Sequence, residues 1–459
     1  MSNSTHTPRA FAVRFKDLTR WAVGAFVETG WRWPAETIRP LSVALTRKAV
    51  DVDRDETPDE SIRLVTLHFD GEMRPRDESA SDGFKGRLFF ADPGDVIYSK
   101  IDVRNGAIGI IPDELGRVCV SSEYPVYAVD PKVAEARYVK LLFRTAVFRR
   151  KINSMISGAS GRKRVQPTDL ETVSVPFPPL PVQRKIVAAW EKARAHATTT
   201  ATKIAHLERD TEARFLADLG LKAPEAATLP KAFAVPWKDL ERWGVQSNQL
   251  AATGVDISRC KFPITTGRDC LAEIKHGCGA SPSPLPTKLE VLKISAATRG
   301  AFRPEERKYA FDVARYRREF DLKRGDVLMC RTNGTLGLVG MSALVEADMP
   351  DLIFPDKLIR VRCKADVRAA FFWKLVQMPF VRSQLESAAR TAVGNYAIGT
   401  DDIWSLRLPL PPQSVQDAMM KRVDAGRAEI AKLKVEGKAR AEAARADVEA
   451  MILGTRPVE

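Results

Sequence analysis

Residues 175–187 read VPFPPLPVQRKIV, and residues 408–420 read LPLPPQSVQDAMM. In both stretches prolines hold the chain extended, because proline fixes its own φ and turns the preceding residue away from the helical region. Beyond the prolines the pattern changes. From Gln183 to Leu219 there is neither proline nor glycine, and alanine and charged residues dominate. Ile186, Trp190, Ala193, Ala197, Thr200, Ile204 and Leu207 step by alternating four and three, the seam of a long helix suited to coiled-coil packing. At about 1.5 Å per residue such a helix is a rod of roughly 55 Å. The stretch Gln413 to Leu453 repeats the step at Met419, Val423, Ile430 and Leu433, with Gly426 and Gly437 expected to weaken the seam locally. Neither seam is rich enough in large aliphatics to stand alone. The two helices are therefore expected to pack antiparallel on each other, in preference to each folding back on its own domain.

The junction is one of several features that occur twice. Gly71-Glu72-Met73-Arg74-Pro75 recurs as Gly300-Ala301-Phe302-Arg303-Pro304, Gly94-Asp95-Val96 as Gly325-Asp326-Val327, and Asn105-Gly106 as Asn333-Gly334. With Pro176 and Pro409 the spacings are 229, 231, 228 and 233 residues. The matches are collinear, as in a duplicated unit. This period is far longer than the few tens of residues of a solenoid repeat, so it implies two related domains. A chain of 459 residues also exceeds what one core ordinarily supports.

Outward from the junction, each half begins with an aromatic and basic phrase, Phe15 to Trp21 and Trp237 to Trp243. Short apolar runs bounded by Gly, Pro and Asp follow: Ile62 to Phe69, Val96 to Tyr98, Ile108 to Ile111, Leu289 to Ile294 and Leu358 to Val361. Runs this short read as strands, and the Asn-Gly pairs between them read as tight hairpin turns. A twisted, mainly antiparallel sheet is expected in each half. Helix is expected near Arg137 to Ile152 and near Val367 to Leu385, each followed by a glycine-containing loop, Ser157 to Gly161 and Ala392 to Gly399.

A net charge of +14 and a pI near 9.5 predict attraction to a polyanion. No stretch approaches the roughly 18 apolar residues that a membrane span needs, and the polar Met1 to Arg9 lacks a signal peptide's apolar core. The chain reads as soluble, intracellular and cytoplasmic. Of six cysteines, Cys119, Cys330 and Cys363 lie in apolar surroundings, as small buried hydrophobes do. Cys260, Cys270, His276 and Cys278 are numerous enough for zinc, but their spacing is not that of a zinc knuckle, and reduced thiols are the preferred reading.

The proline-to-helix junction resembles that of the DNA specificity subunits of type I restriction-modification systems. The resemblance rests on Leu170 to Leu180 leading into Gln183-Arg184-Lys185-Ile186-Val187, on the same signature at Ile403 to Gln416, and on Glu273 to Gly277 and Gly325 to Leu328. It covers roughly Ser42 to Leu453. It implies an α+β chain of two repeated target-recognition domains, with mixed, mainly antiparallel sheets, separated by two long antiparallel coiled-coil helices. The expected divisions are 1–180 and 223–412 for the recognition domains, and 181–222 and 413–459 for the spacer helices. It further implies a non-catalytic chain in which each repeat reads one half of a bipartite double-stranded DNA target. Adenine methyltransferase subunits, two by expectation, would dock on the helices, and motor or nuclease restriction subunits can join. S-adenosylmethionine, ATP and magnesium would belong to those partners, with no cofactor in this chain.

The residues lend this separate support. Between Tyr138 and Thr168 stand Lys140, Arg144, Arg149, Arg150, Lys151, Arg162, Lys163 and Arg164, with no acidic residue before Asp169. Solvated faces normally mix both signs, so phosphate neutralisation is the natural use of such a run. Base reading needs side chains that fork onto base edges. Lys100, Arg104 and Asn105 in the first half, and Arg331 and Asn333 in the second, flank the repeated turns. Arg74 and Arg303 occupy equivalent repeat positions, which favours structural or phosphate-directed roles for that pair. The Asn-Gly asparagines are weighed first as turn residues, and the arginines as phosphate contacts.

Two other classes compete. Asp256, Glu273 and Lys275 superficially mimic the acid, acid, lysine set of a metal-dependent nuclease, though in one repeat only. A helical scaffold for protein assembly would carry its positive charge incidentally. No phosphate loop, glycine-rich cofactor loop or amino-methyltransferase motif is present in the sequence.

Overall fold

The computed structural model describes residues 30–53, 55, 62–76, 86–154, 164–222, 255, 257–311, 313–392 and 394–458. They form two compact units, the first of residues 1–200 with 435–459, the second of residues 201–434. The phrases at 15–21 and 237–243 and the loop 157–161 lie outside the described residues.

In the first unit, Leu45–Lys48, Val126–Val129, Val96–Tyr98 and Ile108–Ile110 form a four-stranded antiparallel sheet in that order. Their β-branched and aromatic residues suit a pleated surface with a buried face. Tyr98, Tyr127 and Ile108 join Tyr138, Phe143 and Phe148 in one core. The last three come from Ala136–Arg144 and Ala146–Ser154, two helices where one was expected. Thr145 divides them: its backbone is extended, and its hydroxyl donates to the Leu142 carbonyl and accepts from the Phe148 amide.

The second unit repeats this topology. Leu271–His276, Leu358–Cys363, Val327–Cys330 and Ser342–Leu344 form an antiparallel sheet of the same order. Helices Ala369–Val376 and Pro379–Ala388 again replace one expected helix. Among the described residues, the one parallel pairing of named strands is Glu290–Leu292 with Leu352–Ile353. The proline phrases begin as strands in both units: Ser174–Pro176 pairs with Ile38–Pro40, and Arg407–Pro409 with Ile264–Thr266.

The long helices run Leu180–Asp218 and Gln413–Leu453. The first starts three residues before Gln183 and takes in Pro181, because the first turn is where a missing N–H costs nothing. Each helix start is fixed by a buried glutamine. Gln183 donates to the Val133 and Pro178 carbonyls at 3.0 and 2.7 Å and accepts from the Glu135 amide at 2.9 Å. Gln416, 233 residues later, donates to the Asp366 and Pro411 carbonyls at 3.2 and 2.9 Å and accepts from the Arg368 amide at 2.8 Å. Glu135 and Arg368 are the residues that cap helices Ala136–Arg144 and Ala369–Val376. One side chain thus ties proline phrase, long helix and sheet-covering helix together in each unit.

Segments of both long helices lie antiparallel within each unit. In the first, Ile186 and Val187 share the core with Val448 and Ile452, while Thr200 faces Gly437. In the second, Glu208 pairs with Lys434, Thr211 faces Gly426, and Asp218 pairs with Arg422. Pairing and docking onto the sheet unit therefore occur together, since Phe215, Leu216, Met419, Met420 and Val423 also enter the second unit's core. The glycines are not gaps in the seam. A Cβ on Gly426 would lie 2.6 Å from Thr211 Oγ1, and one on Gly437 3.1 Å from Thr200 Cγ2, so they admit the opposing threonines.

Three local expectations need correction. Asn105 ends a 3-10 turn, Val103–Asn105, in a nine-residue connection between its strands rather than a two-residue hairpin, and Gly106 supplies the positive φ of 107°. Asn333 lies in the short strand Thr332–Asn333, and its side-chain oxygen accepts from the Thr335 amide. The segment expected as a glycine loop after Ala392 is a hairpin, Arg390–Ala392 with Asn395–Ala397, paired onto Thr332–Asn333.

Candidate nucleic-acid interface

The basic run of the first unit is divided by the fold. Lys140 pairs with Glu72 at 3.0 Å and Arg164 with Glu123 at 3.3 Å. Both acids come from distant segments, so the local excess of positive charge is partly neutralised. Arg144 departs from the expected phosphate role. Its guanidinium turns inward and donates to the carbonyls of Phe69, Gly106 and Ile108, and burial pulls its pKa below the ordinary value. Lys151 is half-buried, and burial pulls its pKa down too. Arg149 and Arg150 stay exposed on the same helix. Arg162 and Lys163 lie outside the described residues.

Arg74 is exposed on the hairpin strand Met73–Pro75. Lys100 donates to the Ser122 carbonyl at 2.7 Å, and exposed Asn105 donates to Asp102 at 3.2 Å. Arg104 is half-buried and its Nε lacks a partner. Gly106, next to Asn105, and the Phe69 turn meet through Arg144, which donates to the carbonyls of Gly106 and Phe69. The sequence reading took Phe69 as the end of an apolar run expected to form a strand; it is 60% exposed.

In the second unit Arg331 donates to the Asp356 carbonyl at 3.3 Å, with its Nε buried and unpaired. His276 has its pKa lowered by partial burial of its ring first and by the charge of Arg331 second. Asn333 lies beside Tyr396, its partner in register, on the three-stranded sheet just described. Arg303 is half-buried, and its amide donates to the Ala296 carbonyl. Arg74 and Arg303, though equivalent in the repeat, thus differ in exposure.

The nuclease-like set is occupied differently. Glu273 accepts from Arg360 at 2.9 Å and Arg362 at 3.1 Å, and Arg362 also forks onto buried Asp326. Burial raises the Glu273 pKa, but the two arginines outweigh it and hold the carboxyl below its ordinary value. Lys275 sits over the Phe320 ring and 3.7 Å from Glu319. Asp256 lies outside the described residues. Cys260 and Cys278 donate to the Leu219 and Phe354 carbonyls, and Cys270 meets Thr265. Among the described residues no cluster of His, Cys, Asp and Glu is placed to hold a metal, and no helix is long and apolar enough to cross a membrane.

Strand order, junction glutamine and antiparallel helix segments define the class: a duplicated α+β protein in which each of two sheet units is built on parts of the same two long helices. In sequence it resembles the specificity subunits of type I restriction-modification systems. The chain is 23% identical over 294 residues to the specificity subunit of the type I restriction enzyme EcoKI of Escherichia coli strain K12, covering 64% of this chain and 59% of that subunit. It is 23% identical over 464 residues to the EcoEI specificity subunit of Escherichia coli, covering 86% of this chain and 77% of that one. A chain from a solved structure of a type I R-M system, concerned with its complex assembly and conformational transition, shares the fold with a TM-score of 0.53 at 16% identity, over 92% of this chain and 96% of the other. No protein-family model matches the chain.

Proposed function

We propose that this chain is the DNA-reading subunit of a type I-like restriction-modification complex, each unit reading one half of a bipartite double-stranded target. The likeness to specificity subunits along most of the chain carries this reading. Exposed Arg74, Arg149 and Arg150 in the first unit support it as phosphate contacts. The long helices dock adenine methyltransferase subunits, with motor or nuclease subunits as further partners. S-adenosylmethionine, ATP and magnesium act on those partners, and this chain contributes recognition without catalysis. In the first unit the helix segments line a groove of about 250 Å³ walled mainly by alanines, with Lys192 and Arg440 among its lining residues, a surface suited to an apolar side chain of a docked subunit with a carboxylate beside it. Affinity purification of the native complex, followed by mapping of methylated adenines on co-expressed DNA, tests the reading. Co-purifying methyltransferase and a two-part methylated motif are expected. A chain that recovers no such subunit and leaves DNA unmethylated would overturn it.

A further inference from the structure

The turn His68 to Gly71 joins hairpin strands Val65–Leu67 and Met73–Pro75, and it is pressed backbone to backbone against the connection that carries Asn105. Glycines make the approach. A Cβ on Gly106 would lie 2.1 Å from the Phe69 carbonyl oxygen, one on Gly71 2.5 Å from that of Ile108, and one on Gly109 2.3 Å from that of Gly71. Arg144 closes the junction by donating to the Phe69, Gly106 and Ile108 carbonyls. The result is a rigid platform whose outward side chain is Phe69, 60% exposed. A single exposed ring is ordinary on a protein surface; what sets Phe69 apart is the close-packed glycine and arginine junction that fixes the backbone beneath it.

Among the described residues, the second unit lacks this device. Thr298 stands at the repeat position of Phe69, and a Cβ on Gly300, the counterpart of Gly71, would meet nothing within 4 Å. Side chains that set two different half-sites have to differ between the repeats, and this one does. The nearby acids are engaged, Asp70 with the Glu72 amide and Glu72 with Lys140. Arg74 on the same hairpin and Arg149 and Arg150 beyond Arg144 are exposed cations fit for phosphates.

We propose that Phe69, held outward by the Gly71, Gly106, Gly109 and Arg144 junction, packs against a base edge in the half-site read by the first unit. Apolar contact with a thymine methyl is the established chemistry for such a ring in the major groove. The assignment rests on the DNA-reading function proposed above.

The test is selection of a randomised duplex pool by the native complex, purified through a tagged chain and compared with Phe69→Ala and Phe69→Tyr. Wild type should enrich a two-part motif. Phe69→Ala should lose about tenfold preference at a position within one half and leave the other half intact. Phe69→Tyr, which keeps the ring, should keep the motif. Phe69→Ala enriching an undiminished motif would overturn the assignment, as would equal loss of binding to all sequences. Failure of the wild type to enrich any motif would instead overturn the DNA-reading function, and this assignment with it.

Discussion

Gln183 and Gln416 show how much one side chain can hold. Each is buried and makes three hydrogen bonds to backbone that would otherwise be unsatisfied. Replacing either with leucine should cost about 2–4 kcal/mol, read as a lower denaturant midpoint. The two glutamines were visible in the sequence as part of the junction. Two of the three partners of each, 48 to 50 residues upstream, were not. The same limit hid the inward turn of Arg144, since its carbonyl partners lie 36 to 75 residues away. The ion network of the second unit predicts a pH response. Glu273 has a depressed pKa in the folded state, so its contribution is complete above the ordinary glutamate value of about 4.3 and is lost as pH falls through the lower folded value. Asp92, held down by Lys48 and then Arg117, acts in the same direction. The unfolding midpoint should therefore fall between about pH 5 and pH 3, and Glu273→Gln should flatten that fall.

Among the elements, the two long helices were the most legible, because their periodicity runs on for many turns. Their glycines were misread, since a sequence shows the propensity cost of glycine but not the threonine across the seam. Gly426→Ala would drive a methyl against Thr211, whose hydroxyl is already bonded to the Leu207 carbonyl at 2.7 Å. A loss of about 1–2 kcal/mol is expected despite the better helix propensity, and Thr211→Ala should restore it. Gly437→Ala, with 3.1 Å to Thr200 Cγ2, should be near neutral. Thermal unfolding of the single and double variants separates the two cases. The sheets were legible in kind, as short antiparallel strands, but not in order. Pairing of Thr332–Asn333 with Asn395–Ala397 joins segments some 60 residues apart, which no local pattern specifies.

For the whole molecule, charge was the sequence feature that pointed most directly to the polyanionic partner proposed, yet its local density overstated what is free to bind. Lys140 and Arg164 already have carboxylate partners, while Arg149 and Arg150 are exposed. Replacing both exposed arginines with alanine should weaken binding to all duplexes alike. It should also reduce the slope of log affinity against log salt by about 2, near 0.9 for each phosphate released. The discontinuity of the first unit has a consequence of another kind. Its interior needs Val448 and Ile452, and the Arg32 amide and Trp33 indole bond the Leu453 and Ile452 carbonyls at 2.7 and 2.8 Å. During translation, the segments before residue 200 must wait for the helix segment that carries Val448 and Ile452, whereas residues 201–434 can close before that segment is made. A nascent chain should thus complete its second unit before its first, and the sheet of the first should stay exposed to chaperones until Val448 and Ile452 have emerged.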